Sequence, residues 1–131
     1  MNKTLTLVVY MAVLTWLTLL AASLIRAKGW TPAGFKIALG NRHSLPEATT
    51  LAGRAQRTAI NTMDNFILFA VIALVAAVAG NESPRIVTGA EMFFWARIAY
   101  IPVYYAGIIY LRTAVWLVSI LGLGFMVSAL L

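Results

Sequence analysis

From Thr4 to Ile25 the chain carries no charged residue, and this run sets what the protein can fold into. As a helix it reaches roughly 33 Å at ~1.5 Å per residue, enough to cross the hydrocarbon core of a bilayer. It is longer than the ~7–15-residue apolar core of a signal peptide, and Arg26 and Lys28 follow it directly. A second uncharged run, Thr113 to Leu131, ends the sequence. Charged residues make up 11% of the chain and hydrophobic ones 62%. A soluble domain needs about a quarter of its residues charged to cover its surface, so this chain belongs in a membrane. It contains no cysteine, which excludes a disulfide framework, a Cys nucleophile and a thiolate metal site. His43 is the lone histidine, in a loop without a partner at ligand spacing, so it reads as solvated and no metal is expected.

Residues 26–57 hold Arg26, Lys28, Lys36, Arg42, Arg54 and Arg57 against one acid, Glu47. Gly29, Pro32, Gly34 and Gly40 predict a loop over 27–43. Ser44-Leu-Pro46-Glu47 reads as a capping box that starts a helix, and Gly80 as its C-terminal cap. Ser83 and Pro84 start the next helix, in which Pro102 predicts a kink, and Arg112 marks the junction with the last. The fold class is therefore an all-α membrane protein, one domain over 1–131. Its four transmembrane helices are expected at about 4–26, 45–79, 84–111 and 113–131. Excess Lys and Arg mark cytoplasmic connections. That places the first connection, about 27–57, and Arg112 in the cytoplasm, with both termini on the opposite side.

A carboxylate at membrane depth costs about 2.5–3.5 kcal/mol on insertion scales, so Asp64 marks a candidate site. At ~100° per residue Arg54, Arg57, Asn61 and Asp64 fall within an arc of about 80° on one helix. Arg97, Tyr100 and Tyr104 share a face of the next. Two polar stripes in an apolar bundle must face each other or a water-filled cavity. Arginine forks at the rim suit a carboxylate or phosphate, and Asp64 and Asn61 suit a cationic or amide donor. A small peptide-like zwitterion meets both demands, the lipid-facing wall admits an apolar second substrate, and Arg112 at the mouth would favour a thiolate. The plainer readings make Arg54 and Arg57 headgroup anchors, Tyr100 and Tyr104 bundle packing, and Asp64–Arg97 a structural ion pair between helices.

The run Arg54-Ala-Gln-Arg57-Thr-Ala-Ile-Asn61-Thr-Met-Asp64, then Ala96-Arg97-Ile-Ala-Tyr100-Ile-Pro-Val-Tyr104 and Arg112, resembles the MAPEG family, membrane-associated proteins in eicosanoid and glutathione metabolism. The resemblance implies a homotrimer with glutathione as co-substrate at subunit interfaces near the cytosolic face. It implies glutathione contacts from Arg57, Asn61, Asp64, Tyr100 and Tyr104, with Arg54 and Arg26 as further contacts, the latter toward a neighbouring subunit. Arg112 resembles the family's thiolate-stabilising catalytic arginine. Asp64 stands where the family usually has Glu, one methylene longer. The implied activity is that of a microsomal-type glutathione transferase or peroxidase acting on lipophilic electrophiles or lipid hydroperoxides, a detoxification role. The partners implied are glutathione, a lipophilic second substrate and the bilayer, with no nucleic acid. Two alternatives remain open at this point: a small multidrug/proton transporter using Asp64, and a non-catalytic membrane scaffold held by Asp64 and Arg97.

Overall fold

Among the described residues five helices form where four were expected. The computed structural model describes residues 1–42 and 45–131, and over these the order is α1 (Lys3–Ala27), α2 (Pro32–Leu39), α3 (Thr50–Val78), α4 (Pro84–Ala106) and α5 (Ile109–Leu130). Four of them, all but α2, are long and apolar enough to cross a membrane. Their outward faces are apolar, with Trp16, Leu20, Ile67, Val71, Trp95 and Leu121 exposed, as a surface turned to lipid or to another copy requires. The protein is thus an integral, multi-pass, all-helical membrane protein.

The extra helix α2 corrects the loop expected over 27–43. The residues read as breakers serve it instead. Thr31 caps it by accepting from the Gly34 N–H at 2.9 Å, Pro32 takes the first turn, and Gly40 is its C-cap. Gly34 is required by space: a Cβ there would meet the Lys28 carbonyl oxygen at 1.9 Å.

Helix α3 begins later than the expected start at 45. Thr49 is its N-cap, accepting from the Ala52 N–H at 3.0 Å, and residues 45–49 are extended or irregular. The capping box on Ser44 and the solvated His43 lie outside the described residues. At the far end, Gly80 (φ 67°) closes α3 as expected, with Asn81 N–H donating to Ala76 O at 2.9 Å and Gly80 N–H to Ala77 O at 3.1 Å. Ser83 is the N-cap of α4, although its hydroxyl makes no cap hydrogen bond.

Helix α4 passes through Pro102 and ends at Ala106, not at 111, because Gly107 (φ 76°) adopts the left-handed conformation that stops a helix. Consequently α5 starts at Ile109, not 113, and Arg112 lies in its first turn.

The core is a layer of apolar side chains among α1, α3, α4 and α5. Phe69 and Phe93 stack with ring centroids 4.5 Å apart, flanked by Met11, Ile86 and Met126. Helices α4 and α5 pack most closely, through Gly89 and Gly122. A Cβ on Gly89 would meet Gly122 O at 2.4 Å, and one on Gly122 would meet Gly89 O at 2.6 Å. Small residues that let backbones touch are the usual means of helix association in lipid.

The two ends of the bundle differ. At one lie both termini, where Lys3 pairs with Glu91 and Asn2 donates to Glu82 at 3.0 Å. The other carries α2, the start of α3 and the α4–α5 turn, and with them most of the Lys and Arg residues.

Candidate functional site

On α3 the buried ridge runs Thr58, Thr62, Asn65, Phe69, Ala73, Ala76, spaced three or four residues apart. This ridge faces the core, so the polar stripe sits on its flank: Arg57 and Asp64 are exposed and Asn61 is half-buried. Across from it, α4 presents Tyr100, buried, and Tyr104, half-buried, with ring centroids 5.5 Å apart. The start of α5 adds Arg112. Together Arg57, Ile60, Asn61, Asp64, Tyr100, Tyr104 and Arg112 line a cavity of about 380 Å³, within the ~300–1,000 Å³ of small-molecule sites.

Tyr104 is where the cavity's two cations meet. Arg57 Nε donates to its phenol oxygen at 3.0 Å, and the Arg112 guanidinium lies over its ring at 4.6 Å. Both contacts leave the guanidinium forks free for a further acceptor. Arg112 also occupies the first turn of α5, at the positive end of that helix dipole, where an anion is favoured. Against these two cations stands one carboxylate, Asp64, unpaired among the described residues. The lining is net cationic, with a separate anionic point two turns along α3 from Arg57.

The expected Asp64–Arg97 ion pair does not form. Among the described residues the one ion pair is Lys3–Glu91, at the opposite end. Arg97 is 0% exposed and points into the bundle. Its Nη2 donates to Asn61 Oδ1 at 2.8 Å and Thr62 Oγ1 at 3.0 Å, while its guanidinium stacks over Tyr100 at 4.1 Å. Asp64 lies ~100° around α3 from buried Asn65, so its short side chain turns toward the cavity and away from Arg97.

Arg54 does not line the cavity. Its Nη1 donates to Tyr105 O at 3.3 Å and its guanidinium lies against Gly107, so it compensates the C-terminal end of α4. Arg26 lies apart as well. It donates to Pro46 O and lines a second cavity of about 440 Å³ with Arg42, Ser23, Leu45 and Gln56. Arg42 is held there by the Ser23 hydroxyl at 2.6 Å. Ile60 borders both cavities, which lie on the two flanks of α3.

The structure therefore brings together Arg57, Asn61, Asp64, Tyr100, Tyr104 and Arg112, and sets Arg54, Arg26 and Arg97 aside from the lining. Behind the lining stand two residues not singled out from the sequence, Thr62, which accepts from Arg97, and Asn65, which donates to Asn61. Their signal was the buried periodicity from Thr58, which places both on the core face. Comparison with protein families matches residues 4–131 to the model of the MAPEG family. Neither the comparison with curated proteins nor that with solved structures returned a match.

Proposed function

Because the chain belongs to the MAPEG family, matched over essentially its whole length, we propose that it is a glutathione-dependent membrane enzyme. It conjugates glutathione to lipophilic electrophiles or uses it to reduce lipid hydroperoxides. The observation that carries this reading is the convergence of Arg57 and Arg112 on Tyr104 opposite Asp64, which has no ion-pair partner among the described residues. A tripeptide with carboxylates, an ammonium group and a thiol has a complement for each: Arg57 for a carboxylate, Asp64 for the ammonium, Arg112 for the thiolate.

In this mechanism Arg112 stabilises the thiolate over the thiol, whose proton leaves through the cavity mouth. In conjugation the sulfur attacks an electrophilic carbon, a C–S bond forms and the leaving group departs with its electron pair. In hydroperoxide reduction two glutathione molecules become one disulfide, and the hydroperoxide yields an alcohol and water. Tyr100 and Tyr104 form the wall against which the tripeptide lies.

We further propose a homotrimer, as in the family, in which Arg26 reaches the neighbouring subunit's site from the far flank of α3. The basic end is placed in the cytoplasm on the positive-inside rule. The chain has no cysteine, so a single cysteine at Lys36 reports the side of the membrane by labelling with an impermeant maleimide. The scaffold reading rested on an Asp64–Arg97 lock that does not form. The transporter reading gains no further acid in the cavity, since Asp64 is its one carboxylate.

The test is calorimetric titration of the detergent-solubilised protein with glutathione, followed by conjugation of chlorodinitrobenzene, in which chloride leaves. Saturable binding and turnover, both lost in Arg57→Ala, are expected. No binding at millimolar glutathione overturns the proposal.

A further inference from the structure

Asn61 reaches the cavity under a constraint the other lining residues lack. Its Oδ1 accepts from Arg97 Nη2 at 2.8 Å and from Asn65 Nδ2 at 3.2 Å. Asn65 Nδ2 also donates to the Asn61 backbone carbonyl at 2.8 Å, and Arg97 Nη2 to Thr62 Oγ1 at 3.0 Å, so both donors are held from two sides. Arginine carries five N–H donors and no acceptor. The atom that Asn61 turns to Arg97 must therefore be its oxygen, and two donors occupy both lone pairs. The Nδ2 amide group is what remains to face the cavity.

We propose that Arg97 and Asn65 are positioning residues that fix Asn61 as a pure donor, so that the bound ligand presents a carbonyl or carboxylate oxygen to it. This deepens the glutathione reading and rests on it for the identity of the ligand. It revises the sequence expectation that Asn61 meets a donor on the ligand. The labour in the cavity is divided: Asp64 takes the cationic group, and Asn61 takes an acceptor oxygen one turn away on the same helix. Arg97 also does more than orient. Its guanidinium is fully buried, and its Nε and Nη1 meet no acceptor among the described residues. A charge-assisted bond to Oδ1 polarises the amide and strengthens Nδ2–H as a donor. The buried charge thereby acts on an anionic or carbonyl group that the guanidinium never touches.

Asn61→Asp separates this role from simple packing, because it should move two readouts in opposite directions. The substitution keeps the shape and gives Arg97 a carboxylate, so the thermal unfolding midpoint in detergent should rise. It also replaces the cavity-facing donor with an acceptor, so glutathione affinity should fall at least about tenfold. Asn61→Leu, by contrast, should lower both. Arg97→Met frees the Asn61 amide to flip and should weaken glutathione binding about fivefold, and Arg97→Lys, which restores a donor, should recover most of that loss. Unchanged glutathione affinity in Asn61→Asp overturns the donor role. A fall in both its midpoint and its affinity overturns the locked orientation and leaves Asn61 a packing residue. If the wild-type protein binds no glutathione, the functional proposal fails, and the sign of the midpoint shift in Asn61→Asp still decides whether Oδ1 is locked against Arg97.

Discussion

Truncating Tyr104 in two steps should take the candidate site apart in proportion to its contacts. Tyr104→Phe keeps the ring under Arg112 and removes only the phenol oxygen that accepts from Arg57 Nε at 3.0 Å. A hydrogen bond to a charged group contributes about 1.5–3 kcal/mol, but Arg57 is exposed, which brings the figure down to about 1 kcal/mol. If that bond orients Arg57 for a ligand carboxylate, affinity for glutathione should fall about fivefold. Tyr104→Leu also removes the ring. Arg112 lies 4.6 Å from its centroid and Arg57 6.0 Å, at the limit of a cation–π contact. The nearer contact is worth about 0.5–1 kcal/mol and the farther one less. The two losses sum to about 2 kcal/mol, or about thirtyfold in affinity. Glutathione calorimetry on wild type, Tyr104→Phe and Tyr104→Leu gives the ladder directly, and chlorodinitrobenzene turnover shows whether kcat follows. Two results would exclude this role for Tyr104. Equal affinity in all three means Tyr104 orients neither cation, and equal losses in the two variants mean the ring contributes nothing.

Further predictions concern residues whose roles the structure separates. Asp64→Asn should weaken glutathione binding about tenfold or more with the unfolding midpoint unchanged, because Asp64 makes no ion pair among the described residues; a large drop in midpoint would mean it holds helices together. Arg54→Ala should lower the midpoint more than it lowers glutathione affinity, because Arg54 compensates the end of α4 and lies outside the cavity. Gly122→Ala should destabilise the protein by about 1–3 kcal/mol through overpacking against α4, since the added Cβ meets Gly89 O at 2.6 Å. Gly124→Ala, with nothing within 4 Å of its Cβ, should be neutral or stabilising; unfolding of the two variants in mixed detergent compares them.

The four spans were legible in the sequence because a bilayer imposes a simple rule: long runs with almost no charge. Gly80 and Ser83-Pro84 were legible as stop and start because their backbone chemistry is local. The loop expected over 27–43 hid α2 because Pro32, Gly34 and Gly40 break a helix interior but serve at a first turn, a close approach and a C-cap. Sequence shows the residue but not its place in the helix. Likewise Arg112 looked like a junction because it is charged, whereas the chain breaks at Gly107, where a positive φ is needed. The polar stripe of α3 was legible as a stripe. Its orientation was not, because 3.6-residue periodicity places residues on a helix face but does not say whether Asp64 or Asn61 meets Arg97. That choice followed from Thr58, Thr62 and Asn65 facing the core, which turns Asp64 outward. Arg26 and Arg54 could not be assigned from spacing alone, since both depend on where neighbouring segments bring Pro46 and Tyr105.

Glutathione is proposed to occupy the cavity between α3, α4 and α5. A structure determined in lipid or detergent with glutathione bound tests it most directly. Ligand density is expected bordered by Arg57, Asn61 and Asp64 on one side and Tyr104 and Arg112 on the other, with a ligand oxygen at Asn61 Nδ2. Glutathione density confined to the opposite flank of α3, beside Arg42 and Ser23 and out of reach of Arg57 and Arg112, would contradict it.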